Sequence, residues 1–314
     1  MSKGFRPTQV LFAPTYECNL RCLPCPQKQG ATRLRIKTAR LFLGQYHRLG
    51  IKEIGFTGGE PFLYTGFLSA LSRQAARYNF RFDRLMTNGA WFKTEKELNV
   101  KLREVLAAGF TGTFCISVDD YHKAPLSKIA LFIEKAVELT GWTQCVSFAY
   151  IGDINKIRKL AILLKGKIVG NGRLVVSPRE GFVGLSAQIT KIDLCPVGKA
   201  GKLADPWGKK WFKEDYCQGP GQVLYVSPDG AVKPCCGFAA DLPAMSIGNI
   251  YHDSASTIIK RATKDPLLGI IYKQGLLKLR DVFQKNRPEE RLAPTLDRCF
   301  LCWYLQVKGV RKFL

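Results

Sequence analysis

The run Thr15-Tyr-Glu-Cys-Asn-Leu-Arg-Cys-Leu-Pro-Cys-Pro26 decides how the rest of this chain is read. It sets Cys18, Cys22 and Cys25 at CxxxCxxC spacing behind an apolar, strand-like stretch, Val10 to Pro14. Thiolates so spaced can wrap one side of a cubane iron-sulfur cluster, whose four iron corners normally take four cysteines. One iron is then left open. An open metal position binds a substrate or cofactor, so the motif reads as catalytic rather than structural. Taken alone, these three residues also permit a zinc site or a set of buried thiols.

A second motif narrows the choice. The segment Ile54-Gly-Phe-Thr-Gly-Gly-Glu-Pro-Phe62 reads as an apolar strand ending in Gly58, Gly59 and Glu60. Paired glycines let a ligand reach the backbone, and the carboxylate can hold a cationic amine. With both motifs in this order, about one strand-helix unit apart, the chain resembles the radical S-adenosylmethionine (SAM) enzymes. The resemblance implies that the GGE segment binds the methionine amino group of SAM. It also implies that a reduced cluster splits SAM into methionine and a 5'-deoxyadenosyl radical, which removes hydrogen from unactivated carbon. A flavodoxin- or ferredoxin-type electron donor is the partner such chemistry implies.

The 35.2 kDa chain, 46% hydrophobic, is long enough for one large domain and a smaller one. No stretch approaches the roughly 20 apolar residues of a membrane span, and Met1 to Val10 lacks the apolar core of a signal peptide. A cytoplasmic location without membrane contact is expected. Eleven cysteines, several closely spaced, suggest metal ligation rather than disulfides. The formal charge of +23 favours an acidic partner: nucleic acid, a phosphorylated substrate or an acidic peptide. The basic residues are scattered, which fits a solvated surface better than a dedicated nucleic-acid face, although nucleic acid is not excluded.

Strand-like runs alternate with amphipathic segments through the first two thirds. Strands are expected at Val10 to Pro14, Glu53 to Phe56, Arg84 to Thr87, Thr113 to Val118, Cys145 to Tyr150 and Ile189 to Cys195. Five helices are expected between them, about Thr38 to Leu49, Thr65 to Tyr78, Thr94 to Ala108, Leu126 to Thr140 and Ile154 to Lys165. This α/β alternation predicts a parallel sheet with functional loops at the strand C-termini. Six strands match the partial (β/α)6 TIM-like barrel that the resemblance implies, over residues 1–203. Asn88, expected beside the cofactor, ends the third strand; Ser117 and Asp119 end the fourth, where a hydroxyl and a carboxylate complement the ribose diol of SAM or else form a polar strand end with helix-capping duty. His122 follows as a proton donor, a substrate contact or a solvated loop residue. An extra stretch, Gly170 to Gln188, is positioned to reshape the barrel mouth.

Residues 204–314 read as a β-hairpin plus helical segment, with Pro228, Asp229 and Gly230 at the turn of Val223 to Pro234. Cys217, Gly230, Cys235, Cys299 and Cys302 resemble the twitch form of the SPASM auxiliary-cluster domain. Four thiolates close a cubane completely, so this second 4Fe-4S cluster carries electrons or orders the domain; a four-cysteine zinc site is the alternative. Cys115, Cys145 and Cys195 read as core residues.

Cys236 directly follows a cluster ligand and has no cluster role of its own. The chain is similar to the epipeptide-type radical SAM peptide epimerases in FTGGEPFL, the asparagine-glycine after the third strand, Asp120-Tyr-His122, Val197-Gly198, DGAVKPCC and the terminal CxxC. That likeness implies a ribosomal peptide substrate, L-to-D inversion at Cα, and Cys236 as the hydrogen donor. The chain departs from it where the epimerases have an aspartate at the hairpin start and Gln222-Val223 stands here. The competing expectations are a twitch-type dehydrogenase, a peptide crosslinking enzyme and, remotely, a basic zinc and nucleic-acid-binding protein.

Overall fold

The computed structural model describes residues 5–25, 27–170, 172–213 and 219–314; the expected ligand Cys217 lies outside them. Strands β1 (Gln9–Phe12), β2 (Glu53–Phe56), β3 (Arg81–Thr87), β4 (Thr113–Ser117) and β5 (Val146–Tyr150) each precede a helix. The helices are α1 (Ile36–Arg48), α2 (Thr65–Arg77), α3 (Glu95–Ala107), α4 (Leu126–Thr140) and α5 (Asn155–Leu163). Then come β6 (Lys167–Val169), β7 (Arg173–Val176) and β8 (Leu185–Lys191). The remainder holds α6 (Gly219–Gln222), β9 (Val223–Val226), β10 (Ala231–Lys233), β11 (Gly248–Asn249), α7 (Ala255–Lys264), α8 (Pro266–Lys273), α9 (Leu276–Asn286) and α10 (Arg298–Val307).

Local chemistry sets these boundaries. Thr94 caps α3 by accepting the Glu97 amide at 3.2 Å, with Glu95 and Glu97 in the first turn where the helix dipole favours acids. Gly141 ends α4 in the left-handed conformation, φ 62°. Along the strands every second residue turns to the helices. Phe12, Phe56, Phe114 and Phe148 are fully buried there against Phe67 and Phe132.

The strands run parallel in the order β1-β2-β3-β4-β5-β8, the six expected strands, and the sheet does not close. This is a partial (β/α)6 TIM-like barrel. The sixth parallel strand starts at Leu185, four residues before its expected start. The extra stretch supplies β7 and the first half of β8, which pair antiparallel and prolong the sheet at one edge. At the other edge β9 pairs parallel with β1, Gln9 opposite Val223 and Phe12 opposite Val226. The hairpin therefore continues the main sheet across the boundary expected at residue 203. It covers an edge of β1 that would otherwise present unpaired backbone groups.

Candidate active site

The cysteine loop leaves the C-terminal end of β1 and is tied to the end of β2 by main chain. Gly59 N–H donates to Thr15 O at 2.9 Å, and Glu60 N–H to Glu17 O at 2.7 Å. A Cβ on Gly59 would lie 2.1 Å from Glu17 O, and one on Gly58, at φ +128°, 2.9 Å from Thr15 O. The glycines thus admit the backbone of the cysteine loop at positions read from sequence as an opening for a ligand.

Glu60 is fully buried. Its carboxylate accepts Phe62 N–H at 3.2 Å, the Thr87 hydroxyl at 2.8 Å and Asn88 N–H at 2.8 Å. Desolvation raises its pKa to about 7 in spite of these donors. Three of about four acceptor positions are taken, leaving one for an incoming amine.

Asn88 is the strut between this carboxylate and the cysteines. Its side-chain amide donates to Asn19 Oδ1 at 2.8 Å and stands 4.0 Å from Cys18 Sγ, while its oxygen accepts Ala90 N–H. Cys18, Cys22 and Cys25 are half-buried and near enough to affect one another. Burial, then the neighbouring thiols, pushes Cys22 up to about 11; burial likewise raises Cys18. A cationic cluster edge relieves both penalties, so the donor set fits an iron-sulfur cluster. Among the described residues no three His, Cys, Asp or Glu side chains form a group able to hold a single metal ion. Cubane ligands are spread wider than that.

Asp119 is 1% exposed. Oδ1 accepts the Tyr121 and His122 amides at 3.0 Å and meets His122 Nδ1 at 2.8 Å; Oδ2 accepts Ile151 N–H at 3.1 Å. Oδ2 keeps one acceptor position free, and half-buried Ser117 ends β4 two residues earlier. Burial alone would raise the Asp119 pKa, but the hydrogen bond and charge of His122 and the loop amides hold it below the usual value. Lys156, which sequence reading missed, secures the same loop by donating to Asp119 O at 2.9 Å and His122 O at 2.6 Å. A lysine two residues into a helix carries no sequence signal of that duty.

At the end of the hairpin, Cys235 is buried and the adjacent Cys236 exposed. The Sγ of Cys299 comes within 3.0 Å of where a Cβ on Gly237 would lie. This brings the end of the hairpin and the start of α10 together. The three thiols read as core are all buried, in different surroundings. Cys145 joins the main core, but Cys195 packs apart from it with Val197 and Phe300, beside Cys299. Burial, Asp297, Cys299 and Cys302 all raise its pKa. Cys115 turns away from its neighbours Phe114 and Ile116 and lines the inner face of the barrel. The alternation of β4 held that signal, masked by the apolar character of cysteine.

The iron-sulfur cluster-binding SPASM domain family matches residues 217–302. YydG of Bacillus subtilis (strain 168), named for peptide biosynthesis, is 24% identical over 293 residues, covering 91% of this chain and 86% of YydG. The GTP 3',8-cyclase of Paenarthrobacter nicotinovorans is 25% identical over 172 residues, 52% of this chain but only 45% of the cyclase. Among solved structures, native anSMEcpe with bound AdoMet superposes at TM-score 0.53 with 14% identity, over 98% of this chain and 96% of that one. Streptococcus suis SuiB bound to S-adenosylmethionine superposes at 0.51 with 15% identity, over 85% and 68% respectively. No helix among the described residues is long and apolar enough to cross a membrane.

Proposed function

We propose that this chain, a radical SAM enzyme with a SPASM-type iron-sulfur domain, inverts the Cα of a residue in a ribosomal peptide from L to D, with Cys236 as hydrogen donor. The observation that carries the reading is the pair Cys235 and Cys236, one buried and the other exposed at the end of the hairpin. The likeness to YydG, named for peptide biosynthesis, supports a peptide substrate. So does the likeness to anSMEcpe, which has been solved with AdoMet and the Cp18Cys peptide and superposes at TM-score 0.52.

In this proposal Cys18, Cys22 and Cys25 hold the SAM-binding cluster, and Cys217, Cys235, Cys299 and Cys302 the auxiliary one. Gly58, Gly59, Glu60, Asn88, Ser117 and Asp119 border SAM, and Asp119 also fixes its own loop. Residues 1–203 form the radical domain and 204–314 the auxiliary one. The bound cofactors supply the radical that abstracts the Cα hydrogen. Cys236 then breaks its S–H bond and gives the hydrogen atom to the opposite face of the carbon radical. The sulfur radical left behind takes one electron and one proton, the electron from a flavodoxin- or ferredoxin-class donor.

The test is turnover of a candidate precursor peptide in heavy water. Wild type should leave the peptide one deuterium heavier, whereas Cys236→Ala should incorporate none and still release 5'-deoxyadenosine. Loss of two hydrogens would reject the epimerase in favour of crosslinking or dehydrogenation, and deuterium gain unchanged in Cys236→Ala would reject Cys236 as the donor.

A further inference from the structure

Beneath the rim, the inner face of the barrel lines a half-open cavity of about 330 Å³, with the Arg84 side chain 57% exposed at its mouth. Its lining carries two arginines, Arg84 on β3 and Arg173 on β7, against one acid, Asp83. Asp83 is already engaged. It accepts Gln9 Nε2 at 2.7 Å and faces Arg84 Nε at 3.5 Å. Arg173 holds its place by donating Nε to Ser186 Oγ at 3.0 Å and Nη2 to Ser186 O at 2.6 Å, which leaves other guanidinium donors for a ligand. Three strands separate β3 from β7 in the sheet, so it is the curl of the barrel that sets both cations around one space.

Arg173 comes from the antiparallel extension of the sheet, opposite Gln188 of β8. The wall that carries it is therefore built by the segment outside the regular alternation of strand and helix. The same cavity reaches Ala149, Thr190 and Ile192 at the upper ends of β5 and β8. Just above, Ile151 N–H holds Asp119, whose charge in turn acts on Cys22. Arg84 stands level with Thr113 and Ser117 with Ala149, four residues higher on β4. At about 3.3 Å per residue, the arginine lies roughly 13 Å below the rim. It is placed to anchor a substrate, remote from the reacting carbon.

We propose that this cavity selects a peptide bearing an acidic side chain, received by Arg84 and Arg173. Guanidinium pairs with carboxylate through two parallel hydrogen bonds, which favours aspartate or glutamate over their amides. This gives part of the chain's positive charge a specific duty. The proposal deepens the peptide-modifying reading and rests on it.

The experiment retains a pool of random hexapeptides on immobilised, cluster-reconstituted enzyme with SAM and reads the retained sequences by mass spectrometry. Wild type should enrich Asp and Glu over Asn and Gln about fivefold, the effect of roughly 1 kcal/mol. Arg84→Gln/Arg173→Gln should abolish the enrichment. Arg84→Gln alone, which leaves the Arg173 bonds to Ser186 intact, should reduce it. Lys209→Gln/Lys210→Gln removes the same charge from exposed positions outside the cavity and should keep it. No acidic enrichment in wild type, or equal loss in the lysine pair, overturns the proposal. Release of 5'-deoxyadenosine from SAM and dithionite without peptide is measured alongside. Its absence would count against the radical SAM reading, independently of the charge preference.

Discussion

The rim of the barrel and the bore below it use polar residues in opposite ways. At the rim, Glu60 takes three protein donors, Asp119 takes four contacts, and Asn88 joins β3 to the cysteine loop. In the bore, Arg84 and Arg173 line an open cavity, with Arg84 beside Asp83 and Arg173 bonded to Ser186. Residues that read as SAM contacts in sequence also form, at the rim, the frame that fixes the cysteine loop. Such a frame holds reactive groups in place before any ligand arrives. The bore, built from alternate strand positions, is where the proposal has the substrate read.

The most severe break removes what the frame holds. Cys18→Ala/Cys22→Ala/Cys25→Ala should lower iron after anaerobic reconstitution from about eight to about four per chain and abolish SAM cleavage. Next comes the seam between frame and loop. Gly59→Ala forces a Cβ to 2.1 Å from Glu17 O and should cost about 4 kcal/mol in a urea melt, with cluster loading lost. Gly66→Ala, in open space on α2, should be neutral within about 0.5 kcal/mol.

The two rim carboxylates should then separate by pH. Glu60 has its pKa raised to about 7, so its stabilising neutral form is fully present below about 4.5 and is lost as pH rises through 7. The difference in stability between Glu60→Gln and wild type should change across that window by about 3 kcal/mol at most. Asp119 has the opposite sign. Its depressed pKa gives stability that is present above the usual aspartate value of 3.8 and lost as acid is added below it. Asp119→Asn should cost about 1–2 kcal/mol at neutral pH and flatten the acid limb of the melt.

Much of the rim was legible because the fold puts sequence-local motifs at strand ends. CxxxCxxC, GGE and the asparagine-glycine each follow a strand of the regular alternation, so their mutual approach follows from topology. What the motifs do there was less legible. Whether Glu60 faces a ligand or the amides of Phe62 and Asn88 depends on loops 28 residues apart meeting. The pairing of β9 with β1 was invisible, since an apolar hairpin looks the same whether it stands alone or joins a sheet. Cys115 is buried as expected, and only its place between Phe114 and Ile116 reveals that it lies on the inner face.

That β9 lies against β1 has a consequence for the order in which the molecule is made. Tyr16, in the cysteine loop, donates its hydroxyl to Asp229 at 3.2 Å, and the two are 213 positions apart in the chain. Contacts so distant in sequence form late, after intervening segments have closed. A nascent chain on the ribosome thus carries its first cysteine motif on a strand with one bare edge until the hairpin emerges. In pulsed hydrogen exchange, the amides of Thr8 and Ala13, which donate to Gln222 and Val226, should become protected after those that join β1 to β2.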